Sequence, residues 1–238
     1  MEKPIAIVLL SGGLDSATCL ALALEQGCIP IALSFDYGQR HKNELIASKE
    51  ITAHFSVSHV ILPVGLDTIG GSALTANVDV PKGGKDLLNE NKIPVTYVPV
   101  RNLIFLSLAY ALAEVRNAQE IFIGVNSIDY SGYPDCRPDF IAAFAHAATL
   151  ASKVGRDGNA PKIITPLAAL SKSDIAQEAV RLKVPVQSTW SCYDPQIRNG
   201  KYYPCENCDA CILRRNGFTT ARLALSKEEI FGSPQELP

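Results

Sequence analysis

A continuous apolar run, Ile5 to Leu10, breaks into Ser11-Gly12-Gly13-Leu14-Asp15-Ser16 and then into small and helix-forming residues as far as Gln26. A run of that length fits a parallel strand covered on both faces. Gly12-Gly13 ends it, and Gly27 stands where a helix C-cap is expected. Strand, glycine turn and helix in that order bring free backbone N–H groups and the positive end of a helix dipole to one spot, which suits an anion. The Ser11 and Ser16 hydroxyls can donate to phosphate oxygens there, and Asp15 can hold Mg2+ or orient the phosphates. The alternative is a serine-glycine turn that only ends a strand; the flanking strand and helix favour the phosphate cradle.

The alternation continues along the chain. Ile29 to Phe35 and His59 to Val64 read as strands, separated by a helix over Lys42 to Phe55. Leu103 to Val115 is apolar nearly all round, which predicts a helix packed between the sheet and something else, and from it we expect a homodimer. Ile121 to Gly124 is a fourth strand, Phe140 to Leu150 an alanine-rich helix and Ile163-Ile164 a short fifth strand. Ser171 to Leu182 is a helix with Ser171 as N-cap and Asp174 three residues on. This order predicts an α/β fold with a doubly wound parallel sheet and ligands at the carboxyl ends of its strands. Residues 65 to 99 carry glycines and prolines without a sustained period, as expected of a lid or substrate loop.

The 238 residues, 47% hydrophobic, suffice for one large domain with a small appendage. We expect a main domain over 1–185, a metal-binding module over 186–220 and a tail over 221–238. With 22 basic and 24 acidic residues, a net charge of -2 and no Lys/Arg block, a nucleic-acid partner is not expected. No apolar run reaches membrane-spanning length, and no signal-peptide pattern precedes Ile5, so a reducing cytoplasm is expected. Four of the seven cysteines, Cys192, Cys205, Cys208 and Cys211, form C-x12-C-x2-C-x2-C. Four thiolates complete a tetrahedral structural zinc site; an Fe–S cluster and a C-x-x-C redox pair are the alternatives. Cys19 and Cys28 read as core thiols.

Neither G-x-x-x-x-G-K-[ST] nor G-x-G-x-x-G occurs. Ser11 to Ser16 instead resembles the SGGxDS loop of the ATP pyrophosphatase (PP-loop) superfamily, whose fold is Rossmann-like, of the adenine nucleotide alpha hydrolase type. That resemblance implies a loop that grips the β and γ phosphates of ATP and leaves the α phosphorus open to a carboxylate or carbonyl oxygen. Residues 35–41 (Phe-Asp-Tyr-Gly-Gln-Arg-His), 98–102 (Val-Pro-Val-Arg-Asn), 129–137 (Asp-Tyr-Ser-Gly-Tyr-Pro-Asp-Cys-Arg) and 189–193 (Thr-Trp-Ser-Cys-Tyr) are similar to one of its families, the 7-cyano-7-deazaguanine synthases of the queuosine pathway. The likeness runs from about residue 5 to 217. Two departures are Val100, where a glycine is common, and a longer spacing between Cys192 and Cys205.

The resemblance implies a ligase that uses Mg-ATP to turn 7-carboxy-7-deazaguanine and ammonia into a nitrile. ATP is then expected on Leu10, Ser11, Gly12, Gly13, Leu14, Asp15, Ser16, Ala17, Phe35 and Gly124, with Asp15, Ser16, Arg101 and Lys172 as the catalytic set. Tyr130 or Tyr133 can stack on the ring, Asp135 can accept from its N1–H and amino group, and Arg137 can pair with its carboxylate. A plain surface loop is the alternative there. Lys172 either reaches a phosphate or stays solvated, and Arg101 can reach ATP or the deazapurine. Cys136 reads as a packing or contact residue, since no histidine stands beside it, and His41 and His146 as ordinary polar residues. Two rivals are a tRNA-modifying PP-loop enzyme, which needs a basic surface, and a non-catalytic nucleotide-binding protein, which leaves the 129–137 loop without a task.

Overall fold

A computed structural model describes residues 2–84, 93–126 and 132–236. Its main sheet holds β1 (Ile5–Leu9), β2 (Ile29–Asp36), β3 (Ser58–Pro63), β4 (Glu120–Phe122) and β5 (Lys162–Ile164). All neighbours are parallel and the order is β3-β2-β1-β4-β5. The helices are α1 (Leu14–Glu25), α2 (Asn43–Phe55), α3 (Arg101–Arg116), α4 (Pro138–Ala151), α5 (Lys153–Arg156) and α6 (Lys172–Arg181). This is the doubly wound sheet that the alternation of apolar runs predicts.

Strand β1 lies between β2 and β4, so the order of strand addition reverses at its carboxyl end, where open α/β sheets bind their ligands. The continuous apolar run of β1 follows from burial on both faces. Ala6, Val8 and Leu10 belong to the core that includes residues of α1 and α6, and Ile7 and Leu9 to the core that includes residues of α3. Helix α6 starts on the expected capping box: Ser171 accepts from the Asp174 N–H while Asp174 accepts from the Ser171 N–H.

Helix α3 packs one face on the sheet and leaves the other open in the single chain. Phe105, Leu106, Ala109, Tyr110 and Ala113 are buried against the sheet, but Leu103 is 38% and Val115 76% exposed. An apolar all-round pattern has here produced a helix covered on one face within the single chain.

Val100, which precedes α3, has φ +51, and its N–H donates to the Tyr97 hydroxyl at 2.9 Å. A β-branched residue is strained in this left-handed region, by about 1–2 kcal/mol. Its side chain is 46% exposed, so little packing opposes the change to glycine. Val100→Gly is therefore expected to stabilise the protein by up to about 1 kcal/mol after the added freedom of the unfolded chain is subtracted. Thermal unfolding should shift upward by roughly 2 °C; a fall would show that Val100 contributes more than strain.

The C-terminal module comprises the antiparallel strands β6 (Gln196–Arg198), β7 (Lys201–Tyr203) and β8 (Gln235–Glu236), with α7 (Asp209–Thr220) and α8 (Lys227–Phe231). The stretch read as a tail thus supplies a helix and an edge strand to this module. Residues 65–84 dock against it: Gly83 N–H donates to Asn207 O, and Lys82 bridges to Cys208. No helix among the described residues is long and apolar enough to cross a membrane.

Candidate active site

The turn after β1 is held by its own serines. Gly13 N–H donates to Ser11 Oγ at 3.2 Å, and the Ser16 hydroxyl donates to Gly13 O at 3.1 Å. With its one hydrogen so placed, Ser16 Oγ accepts from Ser11 N–H and from the Ser11 hydroxyl, 3.2 and 3.0 Å away. The turn is thereby fixed at the start of α1, whose first N–H groups have no partner inside the helix. Gly12 sits at φ +93, and a Cβ there would come within 2.2 Å of the Glu44 carbonyl oxygen. That glycine lets the first turn of α2 close on the phosphate turn.

Asp15 is the hub of the charged groups. Its Oδ2 accepts from Lys172 Nζ at 2.5 Å and from Asn126 Nδ2 at 3.0 Å, joining the start of α1, the start of α6 and the segment after β4. Among the described residues both contacts fall on Oδ2, so Oδ1 can take a cation or a water. Lys172 is not simply solvated: its side chain is 18% exposed and ion-paired with Asp15. The position of Lys172 also depends on the C-terminal module, because α7 approaches α6 closely at Gly217, where a Cβ would lie 2.8 Å from Lys172 O.

A cavity of about 650 Å³ opens at the carboxyl ends of β1, β2 and β4. It is lined by Leu10, Ser11, Gly13, Leu14, Asp15, Ser16, Phe35 and Gly124, with Arg101 and Lys172. Gly12 and Ala17, also expected at ATP, are not on its wall. Tyr133 and Cys136 are. Asp135 and Arg137 are not: Asp135 is 6% exposed, and its Oδ2 accepts from the Asn102 N–H at 2.8 Å, in the first turn of α3. The carboxylate expected to read the ring instead satisfies a free N–H at a helix start, which favours an anion for the same electrostatic reason. Tyr130 lies outside the described residues.

Another part of the wall sets Phe35 and Arg101 among aromatic and charged groups to which the sequence assigned no role: Tyr37, Glu44, Phe105 and Arg214. The Phe35 and Phe105 rings stack with centroids 3.9 Å apart. Beside them stand Tyr37, Glu44 and Arg101. Burial raises the Glu44 carboxyl above its ordinary range, with the nearby Arg101 opposing. Burial works against the Arg101 charge, but Tyr37 and Glu44 outweigh it and hold that guanidinium above its usual value. Arg214, also on the wall, is pushed down to about 10 by burial. It bonds Thr189, Ser191 and the carbonyls of Val186 and Glu229, tying α7 to the segments around it. Asn126, Glu44 and Arg214 share no motif; the one local signal is that Asn126 follows shortly after the end of β4.

The sulfurs of Cys192, Cys205, Cys208 and Cys211 all lie within 4.8 Å of one another, and none is in a disulfide. Such crowding suits one tetrahedral ion with metal–sulfur bonds of about 2.3 Å. Backbone N–H groups of Cys205 and Cys208 donate to the sulfurs of Cys192 and Cys205, as thiolate ligands require. The cluster joins the phosphate turn through Trp190, whose N–H donates to Gly12 O at 2.9 Å.

Comparison with known proteins agrees with this arrangement. Residues 5–222 match the family model described as Queuosine biosynthesis protein QueC. The chain is 53% identical over 223 residues to the 7-cyano-7-deazaguanine synthase of Novosphingobium aromaticivorans, covering 93% of each chain. It is 54% identical over 221 residues to that of Solidesulfovibrio magneticus, covering 92% of this chain and 93% of the other. To 7-cyano-7-deazaguanine synthase 1 of Sphingopyxis alaskensis it is 52% identical over 225 residues, 94% of this chain and 97% of that one. The matched span takes in the phosphate turn, the Asp15–Lys172 pair and all four clustered cysteines, and the chain belongs to the QueC family of queuosine biosynthesis proteins.

Proposed function

We propose that this protein is an ATP-dependent ligase that converts 7-carboxy-7-deazaguanine and ammonia into 7-cyano-7-deazaguanine. The observation that carries the reading is a single cavity joining an Asp15–Lys172 phosphate turn to an aromatic, charged wall, in a chain more than half identical to named synthases. Making a nitrile from a carboxylate removes two oxygens, so each must be turned into a leaving group.

The α phosphorus of ATP provides this twice. A carboxylate oxygen attacks it and pyrophosphate leaves; ammonia then attacks the acyl carbon and AMP leaves, giving the amide. The amide oxygen attacks a second ATP in the same way, and loss of AMP with two protons completes the C≡N bond. The turn N–H groups and Lys172 stabilise charge on the phosphates, while Ser11 and Ser16 keep the turn in shape. Asp15 would hold Mg2+ brought with ATP, which would neutralise phosphate charge. Arg101 contacts the deazapurine, and Tyr133 stacks beside it.

Cys192, Cys205, Cys208 and Cys211 would hold zinc, and four thiolate ligands would leave it no open position, as in a structural site. A cytoplasmic setting fits free cysteines. The exposed Leu103 and Val115 of α3 support a homodimer through that face.

The test is incubation of 7-carboxy-7-deazaguanine with the protein, Mg-ATP and ammonium, followed by mass spectrometry. The nitrile should appear only when all components are present. ATP consumption with no change in the acid would refute the reading.

A further inference from the structure

Glu44 presents an anomaly. It lies in the first turn of α2, on the cavity wall, yet among the described residues no hydrogen-bond donor reaches its carboxylate. Arg101 is close enough to influence it but forms no ion pair with it within 4 Å. A half-buried carboxylate on the wall of a cavity, with no donor of its own among the described residues, is suited to a ligand that brings donors. Phosphates and a substrate carboxylate would be repelled by it, so they belong near Lys172. The group that suits Glu44 is a neutral flat ring with N–H groups on its edge, able to lie against the Phe35–Phe105 stack.

Two such rings enter this cavity. The adenine of ATP offers one amino donor beside a ring nitrogen whose lone pair a carboxylate would oppose. A guanine-type edge offers two adjacent donors, N1–H and the exocyclic amine, with a carbonyl oxygen next to them. That order matches a carboxylate standing beside a guanidinium. Resting on the substrate assigned above, we propose that Glu44 reads the N1–H and amino edge of the deazaguanine ring while Arg101 takes the adjoining carbonyl oxygen. Glu44 thus has the part that the sequence suggested for Asp135.

The test is calorimetric titration with 7-carboxy-7-deazaguanine, with the analogue lacking the exocyclic amine, and with Mg-ATP. On the unaltered protein the analogue should bind about tenfold or more weaker than the acid. Glu44→Gln should weaken the acid by roughly 10- to 100-fold and leave ATP affinity within about twofold. Its effect on the analogue should be clearly smaller than on the acid, because one of the two bonds is already gone. Equal binding of acid and analogue to the unaltered protein overturns the proposal, and that comparison needs no variant to fold. An equal loss of ATP and acid affinity in Glu44→Gln also overturns it and moves Glu44 to the nucleotide. Failure of the unaltered protein to bind either ring compound overturns the substrate reading itself.

Discussion

Replacing Cys205 by serine, or removing the metal with a chelator, is expected to cost at least about 3 kcal/mol of folding stability, since a closed four-cysteine site contributes folding energy outright. The melting temperature should fall by roughly 10 °C. The loss reaches well beyond the cysteines. Trp190, between the cluster and the turn, is 1% exposed, Phe231 packs into the same core, and Arg214 spans α7 and its neighbours. Stability should therefore respond before ATP affinity does. Metal analysis should give about one zinc per chain; iron with a visible charge-transfer band would contradict the assignment.

Asp15→Ala has the largest expected effect on activity. Its carboxylate is the point where α1, α6 and the segment after β4 meet, so its removal breaks the contacts to Lys172 and Asn126 and takes away the proposed cation ligand. Loss of one group that stabilises charge at a reacting centre costs about 10²- to 10³-fold in kcat, and here a positioning contact for Lys172 goes with it. Asp15 is partly exposed in the first turn of α1, so the far-ultraviolet spectrum should change little. Unchanged turnover would remove the phosphate turn from the mechanism.

The parts of this protein legible in its sequence are those fixed by local pattern. The apolar run before Ser11, the glycine turn and the Ser171–Asp174 capping box each carry their cause within a few residues, and each stands where expected. The parts that were not legible depend on long-range approach. Lys172 pairs with a carboxylate 157 residues away, and nothing local to either residue announces it. Composition made α3 apolar all round, but which face is covered depends on what the sheet and α4 leave open. Asp135 and Glu44 are both acids near glycine-rich or turn-rich sequence, yet one is consumed by the start of α3 and the other has no donor among the described residues. Their difference comes from where α3 begins relative to the cavity, which neither local sequence contains.

The central claim, that oxygens of the acid are lost through attack on the α phosphorus of ATP, is tested by carboxyl-18O-labelled 7-carboxy-7-deazaguanine. Incubated with the protein, Mg-ATP and ammonium, it should give an unlabelled nitrile and AMP molecules that each carry one 18O atom. Label found in inorganic phosphate, or retained on the organic product while ATP is consumed, would contradict the account.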